Sequence, residues 1–456
     1  MVLALSGFAA NVETDRAWYV AGEAMKVSIT ADNALIAYAE LCDTHGLVAG
    51  VMVELKGGAG QGLIELPSDL HSGYYLLSAY TRSDAQVSQQ YVAVINPLRK
   101  SVDDDIEWVE APTSSPSPSR PSPSPSLVGR GVDSSADSTN DCKPSDSKSI
   151  YSPPYKGGAG GGSSSLFREG QGVGLLGESL LGESLQEPEI EGHIIRARVK
   201  NVHEGQTFIA SQIRPSLSII GKQIHFFEGK MVNDSIAVFY TFGLHGKLPL
   251  VLSALSSTDE SLPIELISPF AAFIPKTLPH LEFHYNRIEV EARSIAMQRR
   301  QRSLSNAPLG SAASLAEERS MLDYDDTVFG TKPDLSYNLD EYRQFLTVRE
   351  VLLEYVICVK NTKINGVPRL LVRKEQEVFN TSLPSLVLID GMPVNDVERL
   401  LNYDARRIHY INIYGGQYTF GNGLYNGILS FVTRSGQLTN YPTERNMQYL
   451  LYAFPE

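Results

Sequence analysis

Residues 111–186 constrain this chain of 456 residues more than any other part of it. The run PTSSPSPSRPSPSPS alternates Pro and Ser. Such a run removes backbone donors, holds the chain extended and offers nothing apolar to bury. A Ser- and Asp-rich stretch follows, then a Gly/Ser tract over residues 157–165 and a small duplication, GESLL from Gly177 and GESL from Gly182. This composition cannot offset the entropy of ordering, so residues 111–186 are expected to form a disordered linker, the first place a protease cuts. Any folded unit must lie before or after it.

Before the linker, residues 1–110 carry short runs rich in Val, Ile and Tyr: AWYV, MKVSITA, IAYAEL, VAGVMVEL, YYLLSAYT and QYVAVI. Turn signals at Gly22, Gly46, Gly57-Gly58 and Gly73 separate them, a spacing that predicts a β-sandwich. The first ten residues, MVLALSGFAA, are apolar and end in small residues. They read as the remnant of a secretory signal lacking its basic start, with an ordinary first strand as the alternative.

After the linker, residues 187–290 return to the same pattern (HIIRARV, TFIASQI, LSIIG, QIHFFEG, SIAVFYTF, LPLVLSAL) and predict a second β-sandwich. Residues 291–331 form a charged helical connector. Residues 332–440 read as a mixed α+β domain, and residues 441–456 as a tail. Three capping boxes announce helices in the α+β domain: Asn338 with Glu341, Thr347 with Glu350, and Asn395 with Glu398. The fold class is therefore mainly β, with β-sandwich domains joined by a disordered linker to an α+β C-terminal domain.

The formal net charge of −13 and a pI near 5.3 argue against nucleic acid and against a polybasic membrane anchor. No apolar run approaches the ~18 residues of a spanning helix. Cys42 and Cys358 sit in apolar contexts and are expected to be small core residues; Cys142 lies in a polar stretch. Three cysteines make no disulfide framework.

Two stretches resemble known families. Tyr19-Val-Ala-Gly-Glu23, then Gly60 to Pro67, then Ser72 to Thr81 (SGYYLLSAYT) resemble the macroglobulin-like domain of the α2-macroglobulin superfamily. Leu386 to Val394 (LVLIDGMPV), Ile408 to Tyr414, Tyr418-x-Phe-Gly421, and Asn426 to Thr433 with Gly436 resemble the plug domain of TonB-dependent receptors. The combination is similar to exported proteins of Gram-negative bacteria. That implies an exported protein, in the periplasm or associated with the outer membrane. Both resemblances have departures. No barrel follows the plug-like segment, which argues against transport by the chain itself. No C-x-E-Q thioester motif is present, which removes covalent trapping.

His280-Leu-Glu-Phe-His284 has its acid in the wrong place for a zinc-protease helix and reads as a solvated edge. The glycine run from Gly57 to Gly62 lies between strands and reads as a hairpin loop rather than a phosphate loop. Asp103-Asp-Asp105 and Arg299-Arg-Gln-Arg302 read as solvated charge runs, and no G-x-S-x-G elbow is present. No catalytic residue, cofactor or metal ligand set is predicted. The expectation is a non-enzymatic binding or scaffolding protein whose α+β domain folds alone and recognises an envelope or outer-membrane protein, and the plug resemblance implies an association with TonB-dependent uptake. Contact is expected through the loop over residues 415–425, with Tyr418, Phe420, Gly421, Gly423 and Tyr425 as the contact residues. The opposing expectation is that these aromatics complete the core beneath that loop. The alternative function is a macroglobulin-like protease inhibitor without thioester, with the linker or the 299–302 patch as bait.

Overall fold

The computed structural model describes residues 10–82, 87–99, 106–110, 188–200, 209–221, 224–285, 287–305, 329–364, 366–374, 377–436, 438, 441–442 and 444–456. The expected linker, nearly all of the signal remnant, Cys142, Asp103-Asp-Asp105 and most of the connector lie outside the described residues. The chain is mainly β, as its patterning predicts.

The first unit pairs a three-stranded sheet (Asn11–Thr14, Ala24–Thr30, Ala59–Glu65) with a five-stranded one (Trp18–Val20, Ser88–Ile95, Gly73–Thr81, Ile36–Cys42, Leu47–Glu54). Ala24–Thr30 shows the elementary rule: Met25, Val27 and Ile29 point inward and the alternate residues do not. The glycine run makes the corner between the sheets. Gly57 and Gly58 hold φ of 65° and 81°, a two-residue hairpin turn. Beyond it the chain passes so close to the preceding strand that a Cβ on Gly60 would sit 2.5 Å from the Glu54 carbonyl oxygen. Close packing between strands therefore accounts for these glycines.

Ile36–Cys42 is buried along its whole length. Ala37, Ala39 and Leu41 fill the first core. Ile36 and Tyr38 face the other way, into a core built with Ile195, Leu217, Phe239 and Leu252 of the middle unit. The two sandwiches are thus packed directly on each other. The Tyr38 and Tyr80 rings stack 5.3 Å apart at this seam.

The middle unit is also two-layered. One sheet runs Lys230–Met231, Ile236–Thr241, His193–Val199, Ile264–Leu266; the other runs His225–Glu228, Arg214–Ile219, Lys247–Leu255, Gln448–Ala453. The last of these strands corrects the expected tail. YLLYAF alternates, and Tyr452 and Phe454 enter the middle core. Beyond the strand, Glu456 donates its N–H to Met52 O (3.1 Å) and accepts from Glu54 N (2.9 Å) in the first unit. A second correction falls at TFIASQI, where Ala210–Gln212 is a single 3-10 turn and the strand begins only at Arg214.

His280-Leu-Glu-Phe-His284 falls largely on a strand, Leu281–Tyr285, parallel to Ile106–Glu110. The helix Arg287–Ser305 then returns to the first unit. Arg293 donates from Nε (3.0 Å) and a terminal nitrogen (2.6 Å) to the two Glu23 oxygens, and its guanidinium lies 4.0 Å from the Trp18 ring centre. Glu23 belongs to the Tyr19–Glu23 segment singled out in the sequence.

The seam between the sandwiches is polar as well as apolar. Buried Arg82 donates to Glu189 (2.8 Å) and to the Ile194 carbonyl (3.0 Å). His193 Nδ1 lies 2.9 Å from Glu189, and its Nε2 lies 2.7 Å from the Tyr452 hydroxyl. This arrangement suits a neutral ring that donates through Nδ1 and accepts from Tyr452. Burial pushes the His193 pKa down, more than Glu189 raises it. An unfolded histidine takes up a proton near pH ~6.5 while the folded one does not, so stability falls as pH drops below that value. We expect the advantage of the wild type over His193→Gln to shrink between about pH 7.5 and about pH 5.5. Urea unfolding at several pH values checks it, and a pH-independent difference would contradict it.

Candidate binding site

The terminal unit builds a five-stranded sheet in the order Leu335–Asn338, Ile408–Phe420, Gly423–Thr433, Leu386–Ile389, Met392–Pro393. Leu386–Ile389 runs parallel to Gly423–Thr433, and the other pairings are antiparallel. The helices Val348–Glu354 and Val397–Leu401 contribute to its core, with Val351, Leu400, Ile411 and Phe431 among the buried residues.

Of the three expected capping boxes, one is complete: Thr347 accepts from Glu350 N, and Glu350 accepts from Thr347 N. Asn338 caps only a 3-10 turn, Leu339–Glu341. The third cap is Asp396, one residue later than expected, accepting from Arg399 N (3.0 Å). Asn395 instead reaches across to Ser253 Oγ of the middle unit (2.8 Å). Asp390 and Gly391 (φ 47° and 90°) turn one strand back into another.

The expected contact loop is a β-hairpin. Ile408–Phe420 and Gly423–Thr433 pair up to Phe420 and Gly423, with a bulge at Gly415-Gly416 where the register shifts by one residue. The hairpin tip lies on the strand His225–Glu228 of the middle unit. Phe226 meets the Phe420 and Tyr425 rings edge-on, at 5.5 and 5.9 Å. Tyr425 is buried and its hydroxyl donates to Glu228. Burial raises the Glu228 carboxyl above the usual carboxylate range. Gly421 (φ 59°) passes so close to the Glu228 carbonyl that a Cβ there would lie 2.2 Å from its oxygen, and a Cβ on Gly423 would meet the Glu228 carboxylate. Tyr418 and Phe420 are half-buried against the same cluster as Tyr425. All five expected contact residues therefore lie together on the hairpin, and Phe420, Gly421, Gly423 and Tyr425 meet the chain's own middle unit.

This docking leaves a cleft of about 910 Å³ between the two units. Beside Gly423 and Tyr425, its walls include charged residues that no sequence motif marked. Arg214 and Asp259 come from the middle unit and Arg369 from the strand Val367–Val372; Asn422, Gly423 and Leu424 of the hairpin tip close one end. Asp259 (φ 60°) receives Arg214 at 2.5 Å and pairs with Arg369 through its other oxygen. Arg369 Nε is buried without a hydrogen-bond partner. Lys230 adds a third cation at the rim.

A scan against protein-family models finds no match for this chain, and no curated protein matches it. Solved structures that resemble it include a biofilm-associated protein BSP domain, at 8% identity over 56% of this chain and a TM-score of 0.16. Escherichia coli α2-macroglobulin in its native conformation follows at 10% identity over 58%, TM-score 0.18. A Salmonella α2-macroglobulin mutant follows at 11% over 58%, TM-score 0.17. The chain spans 29%, 14% and 15% of those structures respectively. Superpositions this poor carry no argument about function.

Among the described residues, no group of three or more His, Cys, Asp or Glu side chains could hold a metal ion, and no helix is long and apolar enough to cross a membrane. Cys42 and Cys358 are buried, as their contexts predict.

Proposed function

We propose that this chain is an exported, non-enzymatic binding or scaffolding protein of the cell envelope, whose plug-like terminal unit recognises an envelope partner. The observation that supports the reading is the cleft between the middle and terminal units. It is concave, within the ~300–1,000 Å³ common for binding sites, and lined by paired charges among apolar residues. The fused hairpin tip argues for recognition by the assembled chain rather than by a separate terminal domain. The sequence resemblance to TonB-receptor plugs directs the search for the partner to outer-membrane proteins.

The test uses the full chain as bait in an outer-membrane extract, beside a Leu424→Trp variant that narrows the cleft. The reading expects an outer-membrane protein retained by the wild type and lost by the variant. Equal retention by both would remove the cleft from the reading. Loss of protease activity on large substrates, with nicking of the chain, would favour the macroglobulin-like inhibitor instead.

A further inference from the structure

We propose that the cleft binds an amphiphilic organic carboxylate, whose headgroup is gripped by Arg214 and Arg369 and whose apolar portion lies along Met231, Leu371, Leu383 and Leu424. The proposal deepens the binding-protein reading and rests on it, naming the class of small ligand the cleft accepts.

Charge is the first argument. Two guanidinium groups, those of Arg214 and Arg369, share one carboxylate, Asp259. Glu228, the other acid on the wall, accepts from the Tyr425 hydroxyl and feels the charge of Arg214. With Lys230 the wall sets three cations against two acids, in a chain whose net charge is −13. The patch therefore runs against the overall field, and an anion is what it favours.

Donor geometry is the second argument. Each guanidinium offers five N–H donors in a planar fork, and one carboxylate cannot satisfy both forks. Arg369 Nε is buried and unpartnered, an arrangement that carries a desolvation cost. A planar carboxylate matches the fork in a way a neutral amide does not. The apolar part of the ligand follows from the wall itself. Leu371 is buried, Met231 and Leu383 are half-buried, and Leu424 is exposed at the mouth.

Calorimetric titration of the full chain with sodium octanoate, octanamide and inorganic phosphate tests this. Octanoate is expected to bind saturably, and octanamide and phosphate each about tenfold more weakly or worse, because each lacks one half of the recognition. Arg369→Gln should weaken octanoate by about tenfold, and Asp259→Asn, which frees both forks, should tighten it. Circular dichroism checks the fold of each variant. Should Arg369→Gln fail to fold, Arg369→Lys, which keeps the charge and loses the fork, should still weaken binding. The proposal is overturned if octanoate shows no saturable heat, if octanamide or phosphate matches it, or if a folded Arg369 variant binds unchanged. Retention of an outer-membrane protein involves no octanoate, so failure here leaves the broader reading standing, and failure there leaves this result intact.

Discussion

Replacing Arg82 with methionine is expected to lower the free energy of unfolding by about 3–5 kcal/mol. Arg82 and Glu189 are both 2% exposed, so neither ion has water to fall back on. Removing the guanidinium orphans a buried carboxylate that also accepts from Tyr38 (2.6 Å) and the Ile194 N–H (2.7 Å). Burial alone would raise the Glu189 pKa, yet His193 and Arg82 bring it below the ordinary value. Its contribution to stability is therefore present above the unfolded value of ~4.3 and lost as pH falls through the folded one. Without Arg82 that balance reverses, and the carboxyl gains its proton at higher pH. Guanidinium-chloride unfolding of the wild type, Arg82→Met and the double variant Arg82→Met/Glu189→Leu measures this. The double variant should recover much of the loss, because no ion is then left alone. A single-variant loss below about 1 kcal/mol would mean that the seam tolerates water.

Removing residues 447–456 is expected to cost about 3–6 kcal/mol from two side chains alone, since Tyr452 and Phe454 are buried in the middle core. The loss extends beyond the core. The ladder from Lys247–Ala453 to Leu252–Gln448 disappears, leaving Lys247–Leu255 as an open edge. His193 loses Tyr452, and the first unit loses both hydrogen bonds to Glu456. Hydrogen exchange should show faster opening along Lys247–Leu255 and at Glu54, whose N–H is bonded to Glu456. Unchanged protection at both places would show that the strand adds little.

The sequence conveyed local structure well and contact between distant segments poorly. Ala24–Thr30 alternates and folds as it reads, and Thr347 with Glu350 forms a complete capping box. Ile36–Cys42 opens with the continuous apolar run IAYA, which fits a strand covered on both faces, yet the run does not say that the second cover is a sandwich that follows the linker in sequence. The terminal strand was missed because YLLYAF follows a Pro- and Asn-containing turn and its partner lies far back in the chain. The residues expected to meet a partner lie together on one hairpin, and glycines beside aromatics there mark a close approach within the chain. That the neighbour would be Glu228 and Phe226 required the three-dimensional fold. Arg214, Asp259 and Arg369 carried no signal, being single charges in separate segments with no motif spacing.

The pairing of Leu252 with Gln448 also sets an order of events in time. The middle sheet cannot close until the whole terminal unit has been synthesised, so Lys247–Leu255 waits with unpaired backbone groups. Contacts of such long sequence separation form slowly, and an open edge is vulnerable to pairing with another chain while it waits. The interval between emergence of the middle unit and arrival of its last strand is therefore the period in which this protein most needs a chaperone.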